Sequence, residues 1–255
     1  MRWERTAVEG RTALYATVGE GVPVILVHGW ALGERSFRTA AVHLAELGCR
    51  VLVPALPGFG QTAGLPGRNF SLPGYGRWLL AFLDAVEATE PAVVVGHSFG
   101  GAVAITFAHD HAERVRHLVL VNAVGAAGGA DRGLANWAMG FPAELFPLTT
   151  FGRFFPAVLA DAVPNLVRNP AGAAKVARLA RKADLTVELA ELARRGEPVI
   201  VIYGDQDRIV PEAASEALCE ALGVEGLRVR GNHSWLIANP VAFADAVAEA
   251  AGLAR

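Results

Sequence analysis

Short continuous apolar runs alternate with longer stretches of helical spacing along most of this chain. Pro23–Val27, Arg50–Leu56, Ala92–Val95, Arg116–Asn122 and Pro198–Tyr203 are unbroken enough to read as strands buried on both faces, with Gly226–Arg230 a last and weaker one. Between them, Glu34–Leu47 places Phe37, Ala41, Leu44 and Leu47 on one helical face. Leu72–Ala88, Ala102–His111, Glu212–Leu222 and Val241–Ala250 also read as helices, the last opened by Asn239-Pro240 as N-cap and first helical residue. The first twenty residues alternate around Gly10, as an antiparallel edge hairpin does. Strands alternating with helices predict an α/β fold, a mainly parallel twisted sheet with helices on both faces.

One stretch breaks the pattern. Between Gly125 and Gly196 no strand is legible, and Pro142, Pro147, Pro156, Pro164 and Pro170 divide it into short helical pieces. It is also the most aromatic part of the chain, with Trp137, Phe141, Phe146, Phe151, Phe154 and Phe155. The expected organisation is a core of residues 1–124 and 197–255 carrying a helical cap at 125–196. Most of those aromatics should pack the insertion onto the sheet, and a few should line a pocket.

Composition narrows the function. The 255 residues carry 23 basic and 25 acidic side chains, a net charge of −2, so no bulk field draws the chain to nucleic acid. No apolar run is long enough for a membrane span, and the N-terminal residues lead into no apolar signal segment, so the cytoplasm is the expected location. Cys49 and Cys219 read as buried thiols rather than a disulfide scaffold or a zinc site. His109 and His111 are two apart and cannot share a helical face, so they suggest no metal. No nucleotide-binding glycine loop is present, and no cofactor is expected. Nothing in the sequence fixes an oligomeric state.

The chemistry starts at Gly96-His97-Ser98-Phe99-Gly100-Gly101, where an apolar strand runs into a helix. A serine at such a corner is held in strained backbone with its hydroxyl pushed outward, and Gly96 and Gly100 are there because a Cβ would clash. The hydroxyl needs a base, and the base needs an orienting carboxylate. In an open α/β sheet both should follow later strands, on loops at their carboxyl ends. Asp205 and Asp207 follow Pro198–Tyr203, and His233 follows the last strand in Gly231-Asn232-His233-Ser234-Trp235.

These motifs, with His28-Gly29-Trp30 and the Gly-Asp-x-Asp-x-x-Val-Pro pattern at 204–211, resemble the α/β-hydrolase superfamily in its order and over nearly the whole length. The resemblance implies Ser98 as nucleophile, His233 as general base and Asp207 as the orienting acid, leaving Asp205 to form the turn. It implies a structural role for His28 under its loop, and an ordering role for His97. The backbone N–H groups of Trp30 and Phe99 are the expected oxyanion hole. His97, Trp137, Phe141, Phe154 and Trp235 are the candidate pocket residues.

A serine at the elbow sets the chain apart from haloalkane dehalogenases and epoxide hydrolases, which use aspartate. Proline iminopeptidases usually have different elbow neighbours and a larger acidic cap. Carbon–carbon hydrolases typically place Asn before the serine and Trp after the histidine, where this chain has His97 and Ser234. Many family members also have an acid at the position of Ala55. The expectation is a serine esterase for small-to-medium, largely apolar acyl groups, with a small-molecule ester as partner. The alternatives are a carbon–carbon, thioester or lactone hydrolase, a lyase or cofactor-free oxygenase on the same scaffold, and a hydrolase-like receptor for a small ligand.

Overall fold

The computed structural model describes residues 1–126 and 155–253, the side chains of 155–158 apart. Trp137, Phe141, Phe146, Phe151 and Phe154 therefore lie outside the described residues, as do Pro142 and Pro147. The strands are β1 (Arg2–Val8), β2 (Arg11–Val18), β3 (Val22–Val27), β4 (Cys49–Pro54), β5 (Ala92–His97), β6 (Val115–Val121), β7 (Val199–Gly204) and β8 (Gly226–Val229). They form one sheet in the order β1-β2-β4-β3-β5-β6-β7-β8. β1 and β2 run antiparallel, as does β2 against β4, and every other pairing is parallel. The edge hairpin closes through Glu9 and Gly10, both at positive φ, which matches the twist of a two-residue hairpin turn.

The helices are α1 (Arg38–Glu46), α2 (Leu72–Ala85), α3 (Phe99–Asp110), α4 (Phe155–Arg168), α5 (Pro170–Arg181), α6 (Thr186–Arg195), α7 (Glu212–Leu222), the single turn α8 (Trp235–Ala238) and α9 (Pro240–Ala250). Successive strand residues point to opposite faces of the sheet. Val94, Leu118 and Leu120 enter one apolar layer with residues of α2, α3, α6 and α7. Val93, Val95, Val119 and Val121 enter the other, with α1, α8 and α9. Burying a side chain of this size contributes roughly 1.5–3 kcal/mol, so both faces of each central strand hold the fold together. That is why those strands read as unbroken apolar runs.

Three expectations change. The helix expected from Glu34 begins at Arg38, because residues 34–37 form turns and Asp161 of α4 accepts the Ser36 N–H at 2.9 Å. Asn239 precedes α9, but its side chain makes no cap hydrogen bond. Cys49 is buried as expected, whereas Cys219 is only half-buried, being on the outer part of α7.

Pro164 does not end a helix either: it lies inside α4. A proline there removes one helical hydrogen bond and costs about 3 kcal/mol or more. Its neighbours on that helix, Asp161 and Asn165, are both anchored to the core, and those bonds offset the loss. Pro170 instead starts α5, behind Asn169, whose side chain accepts the Gly172 N–H at 3.0 Å.

No strand occurs between β6 and β7 among the described residues. α6 puts Leu189 and Leu192, both fully buried, into the same layer as Leu218 of α7, and α5 adds Val176 and Ala180 to it. α4 and α5 pack on each other. No helix among the described residues is long and apolar enough to cross a membrane.

The sheet has a switch point. The chain leaves β3 toward β4 on one side and returns to place β5 on the other. Open α/β sheets bind ligands in the crevice at the carboxyl ends of two such strands. Residues 28–30 follow β3 and Ser98 follows β5, so both motifs meet at this point.

Candidate active site

Ser98 stands between β5 and α3 with φ 54° and ψ −120°, a left-handed conformation that costs a non-glycine residue of order 1–3 kcal/mol. The surrounding bonds over-determine it. Its N–H donates to the Val121 carbonyl at 3.1 Å, and its carbonyl accepts from Gly101 at 2.9 Å and Val124 at 3.2 Å. A Cβ on Gly96 would lie 2.6 Å from the Gly100 oxygen and 2.7 Å from the Ala104 Cβ. One on Gly100 would press into the carbonyl oxygens of Val27 and His28. Both glycines are thus required by close approach, as their spacing around the serine suggests. Phe99 is the first residue of α3, and its N–H is one that the helix itself cannot satisfy.

Asp207 lies just past β7 and is held at both oxygens. Oδ1 accepts the N–H groups of Ile209 and Val210, each at 2.8 Å. Oδ2 accepts His233 Nδ1–H at 2.8 Å and Asn122 Nδ2–H at 2.5 Å. With Nδ1 donating, the basic nitrogen of the His233 ring is Nε2. Both side chains are nearly fully buried, so this charge-assisted contact is poorly screened by solvent. Asp205 serves the loop instead. Its Oδ1 accepts the Gly231 N–H at 3.0 Å, pinning the segment that carries His233 to the end of β7. His233 thus meets Asp207, and Asp205 bonds the neighbouring backbone.

The residue beside the serine ties that loop down as well. His97 is 1% exposed, and its Nε2–H donates to the backbone carbonyl of His233 at 3.0 Å. The two rings lie with centroids 4.8 Å apart. Burial, followed by the neighbouring His233, holds the His97 imidazole well below the usual histidine range, so it stays neutral. Its Nδ1 has no hydrogen-bond partner among the described residues and lies against Gly29, next to Ser98. His97 thus ties the segment carrying His233 to the end of β5.

His28 is fully buried. Its Nδ1–H donates to the Gly29 carbonyl at 2.8 Å and its Nε2 accepts the Leu56 N–H at 2.9 Å, which fixes the neutral tautomer. Burial pushes its pKa down to about 4. The ring joins the loop after β3 to the segment after β4, a structural part. Trp30 follows, and its indole N–H donates to the Ala173 carbonyl of α5 at 2.8 Å.

Asn122 is the residue that sequence reasoning missed. It ends β6 at φ 45° and is wholly buried. Its amide donates to Asp207, while its Oδ1 accepts the Trp235 indole N–H at 2.8 Å. A polar residue closing a strand at the carboxyl edge was the available signal. Trp235, a candidate pocket residue, is buried and spends its polar atom on this bond. Of the other pocket candidates, Trp137, Phe141 and Phe154 fall outside the described residues.

A family model described as the alpha/beta hydrolase family matches residues 24–246. The chain belongs to the α/β-hydrolase family. Among similar proteins is the pimeloyl-[acyl-carrier protein] methyl ester esterase of Aromatoleum aromaticum, 31% identical over 78% of this chain and 85% of that one. Another is a 2-hydroxymuconate semialdehyde hydrolase of a Pseudomonas species, 29% identical over 94% and 89%. A solved structure of the meta-cleavage product hydrolase from Pseudomonas fluorescens superimposes with a TM-score of 0.79 at 25% identity, covering 97% of this chain and 96% of that one. This α/β hydrolase therefore has likenesses both to an ester hydrolase and to semialdehyde and meta-cleavage product hydrolases.

Proposed function

We propose that this α/β hydrolase cleaves carboxylic esters through an acyl-enzyme on Ser98. The observation that carries the reading is the bond from His233 Nδ1 to Asp207 Oδ2 at 2.8 Å, in a chain that also sets Ser98 at a strained strand-to-helix corner. Asp207 fixes the tautomer of His233, so that Nε2 takes the Ser98 proton as the hydroxyl oxygen attacks the acyl carbon. The negative charge then forming on the carbonyl oxygen is met by the N–H groups of Phe99 and Trp30. The protonated imidazole returns the proton to the leaving alcohol, and water attacks the acyl-enzyme by the same route in reverse.

The lid of this reading is the insertion at 125–196, of which α5 and α6 also place side chains in the layer shared with α7. Preference for small-to-medium, largely apolar acyl groups rests on the composition of that segment, which contains Trp137, Phe141 and Phe154.

A second reading, a carbon–carbon hydrolase, is favoured by the likeness to the semialdehyde and meta-cleavage product hydrolases. One experiment separates them. The protein is incubated with p-nitrophenyl butyrate and with a vinylogous 1,5-diketone, products are weighed by mass spectrometry, and Ser98 is probed with a fluorophosphonate. The ester reading expects rapid release of acid and alcohol and a phosphonylated Ser98. Cleavage of the diketone with little ester turnover favours the second reading, and an unlabelled Ser98 in folded protein overturns both.

A further inference from the structure

The loop after β3 is held by the lid as well as by the core. Asn165 of α4, 4% exposed, uses its Nδ2 to donate to the carbonyls of Ala31 at 3.0 Å and Leu32 at 3.1 Å. Its Oδ1 accepts the Gly60 N–H at 2.7 Å. One helical turn earlier, Asp161 Oδ2 accepts from the Ser36 N–H at 2.9 Å and the Ser36 hydroxyl at 2.6 Å. Its carboxylate also lies against Gly33. The two side chains are four residues apart and so share one helical face. From α5, the Ala173 carbonyl accepts the Trp30 indole N–H.

Each element of that loop thus tethered lies within six residues of the Trp30 backbone. Ala31, immediately after it, sits at φ 61°, a conformation an alanine keeps only when neighbours impose it. The Asn165 amide is the group that grips its carbonyl. The core holds the loop by its apolar side chains, Leu32 and Phe37, and by His28 at its start, whereas the Ala31 and Leu32 carbonyls are met by Asn165.

Resting on the serine-hydrolase reading, we infer that Asp161 and Asn165 are positioning residues that build the oxyanion hole from the lid, by aiming the peptide N–H of Trp30. The lid is then more than a cover over the substrate. Displacing α4 would release the Ala31 and Leu32 carbonyls together, so the hole depends on α4 being in place.

The test compares the full-length protein with its Asn165→Leu and Ser36→Ala variants on p-nitrophenyl butyrate. A short alkylboronic acid, whose tetrahedral adduct on serine puts an anionic oxygen in the hole, is the second probe. In Asn165→Leu, kcat should fall about 10–100-fold, less than the 10²–10³ of deleting a donor outright, with KM little changed. The boronate inhibition constant should rise by the factor lost in kcat/KM, and the shape of the pH profile should stay as in the parent, because His233 and Asp207 are untouched. Unchanged kcat in folded Asn165→Leu, a loss confined to KM, or unaltered boronate affinity would each overturn the inference. If Asn165→Leu does not fold, Ser36→Ala carries the test. A fall in kcat of about two- to fivefold that tracks boronate affinity supports the clasp, and wild-type values overturn it. A Ser98→Ala enzyme that still turns over would sink the underlying reading. An inert Ser98→Ala beside a fully active Asn165→Leu sinks the clasp alone.

Discussion

Asn122 Nδ2 donates to Asp207 Oδ2, the same oxygen that accepts from His233 Nδ1. The carboxylate is thereby aimed by β6 as well as by its own loop. Asn122→Leu removes the donor and leaves the Trp235 indole N–H without its acceptor. A hydrogen bond to a charged group is worth about 1.5–3 kcal/mol, so kcat/KM on an ester should fall roughly 10–100-fold. Because the variant disturbs the orientation of His233, its pH profile should change as well. Steady-state kinetics across pH checks both, and an unaltered profile would mean that Asn122 merely packs.

Gly100→Ala should destabilise the fold more than an average surface change. The added Cβ presses on the backbone carbonyls of Val27, which ends β3, and of His28 after it, and these have no flexible end to yield. Overpacking costs about 1–3 kcal/mol, occasionally more, and each kcal/mol is worth about 2–4 °C at this chain length. Calorimetry should show a drop of at least a few degrees, alongside loss of the hydrolysis proposed for Ser98.

His28 makes stability acid-sensitive above the usual carboxylate range. Its folded pKa of about 4 lies below the ordinary 6.5, so the unfolded chain takes up a proton between these values and the folded chain does not. Stability is fully present above pH 6.5 and declines as pH falls from there toward 4, by about 3 kcal/mol for this residue. Denaturant unfolding at pH 7 and pH 4.5 should show wild type losing about 2 kcal/mol more than His28→Gln, although the variant starts lower for want of the bonds to Gly29 and Leu56.

Glu34 acts in the opposite sense. Burial, and next among the raising influences the carboxylate of Asp161, pushes its pKa up, while its own backbone N–H and the charges of Arg35 and Arg168 pull it back. The unfolded chain loses this proton first, so stability falls as pH rises from about 4.5 through the raised folded value. Glu34→Gln should therefore raise the melting temperature at pH 8 and leave it nearly unchanged at pH 4. Thermal melts at the two pH values check the sign.

Local patterns along the chain were enough for the sheet and the corner. Strands buried on both faces have to be unbroken apolar runs, so Pro23–Val27 or Ala92–Val95 announce themselves without knowledge of their neighbours. The glycines at 96 and 100 are equally local, because what they avoid is the chain folding back on itself. His233 and Asp207 were legible from their places after late strands. Asn122, Asp161 and Asn165 were not. An asparagine ending a strand, or an Asp and Asn one helical turn apart, looks in sequence like ordinary polar surface. Only the packing of β6 beside β7, and of α4 over the loop after β3, turned these side chains inward onto groups 85 and 125–134 positions away. Hydrogen-bond partners are chosen by position in space, and a chain's own periodicity says which face is apolar but not what that face will meet.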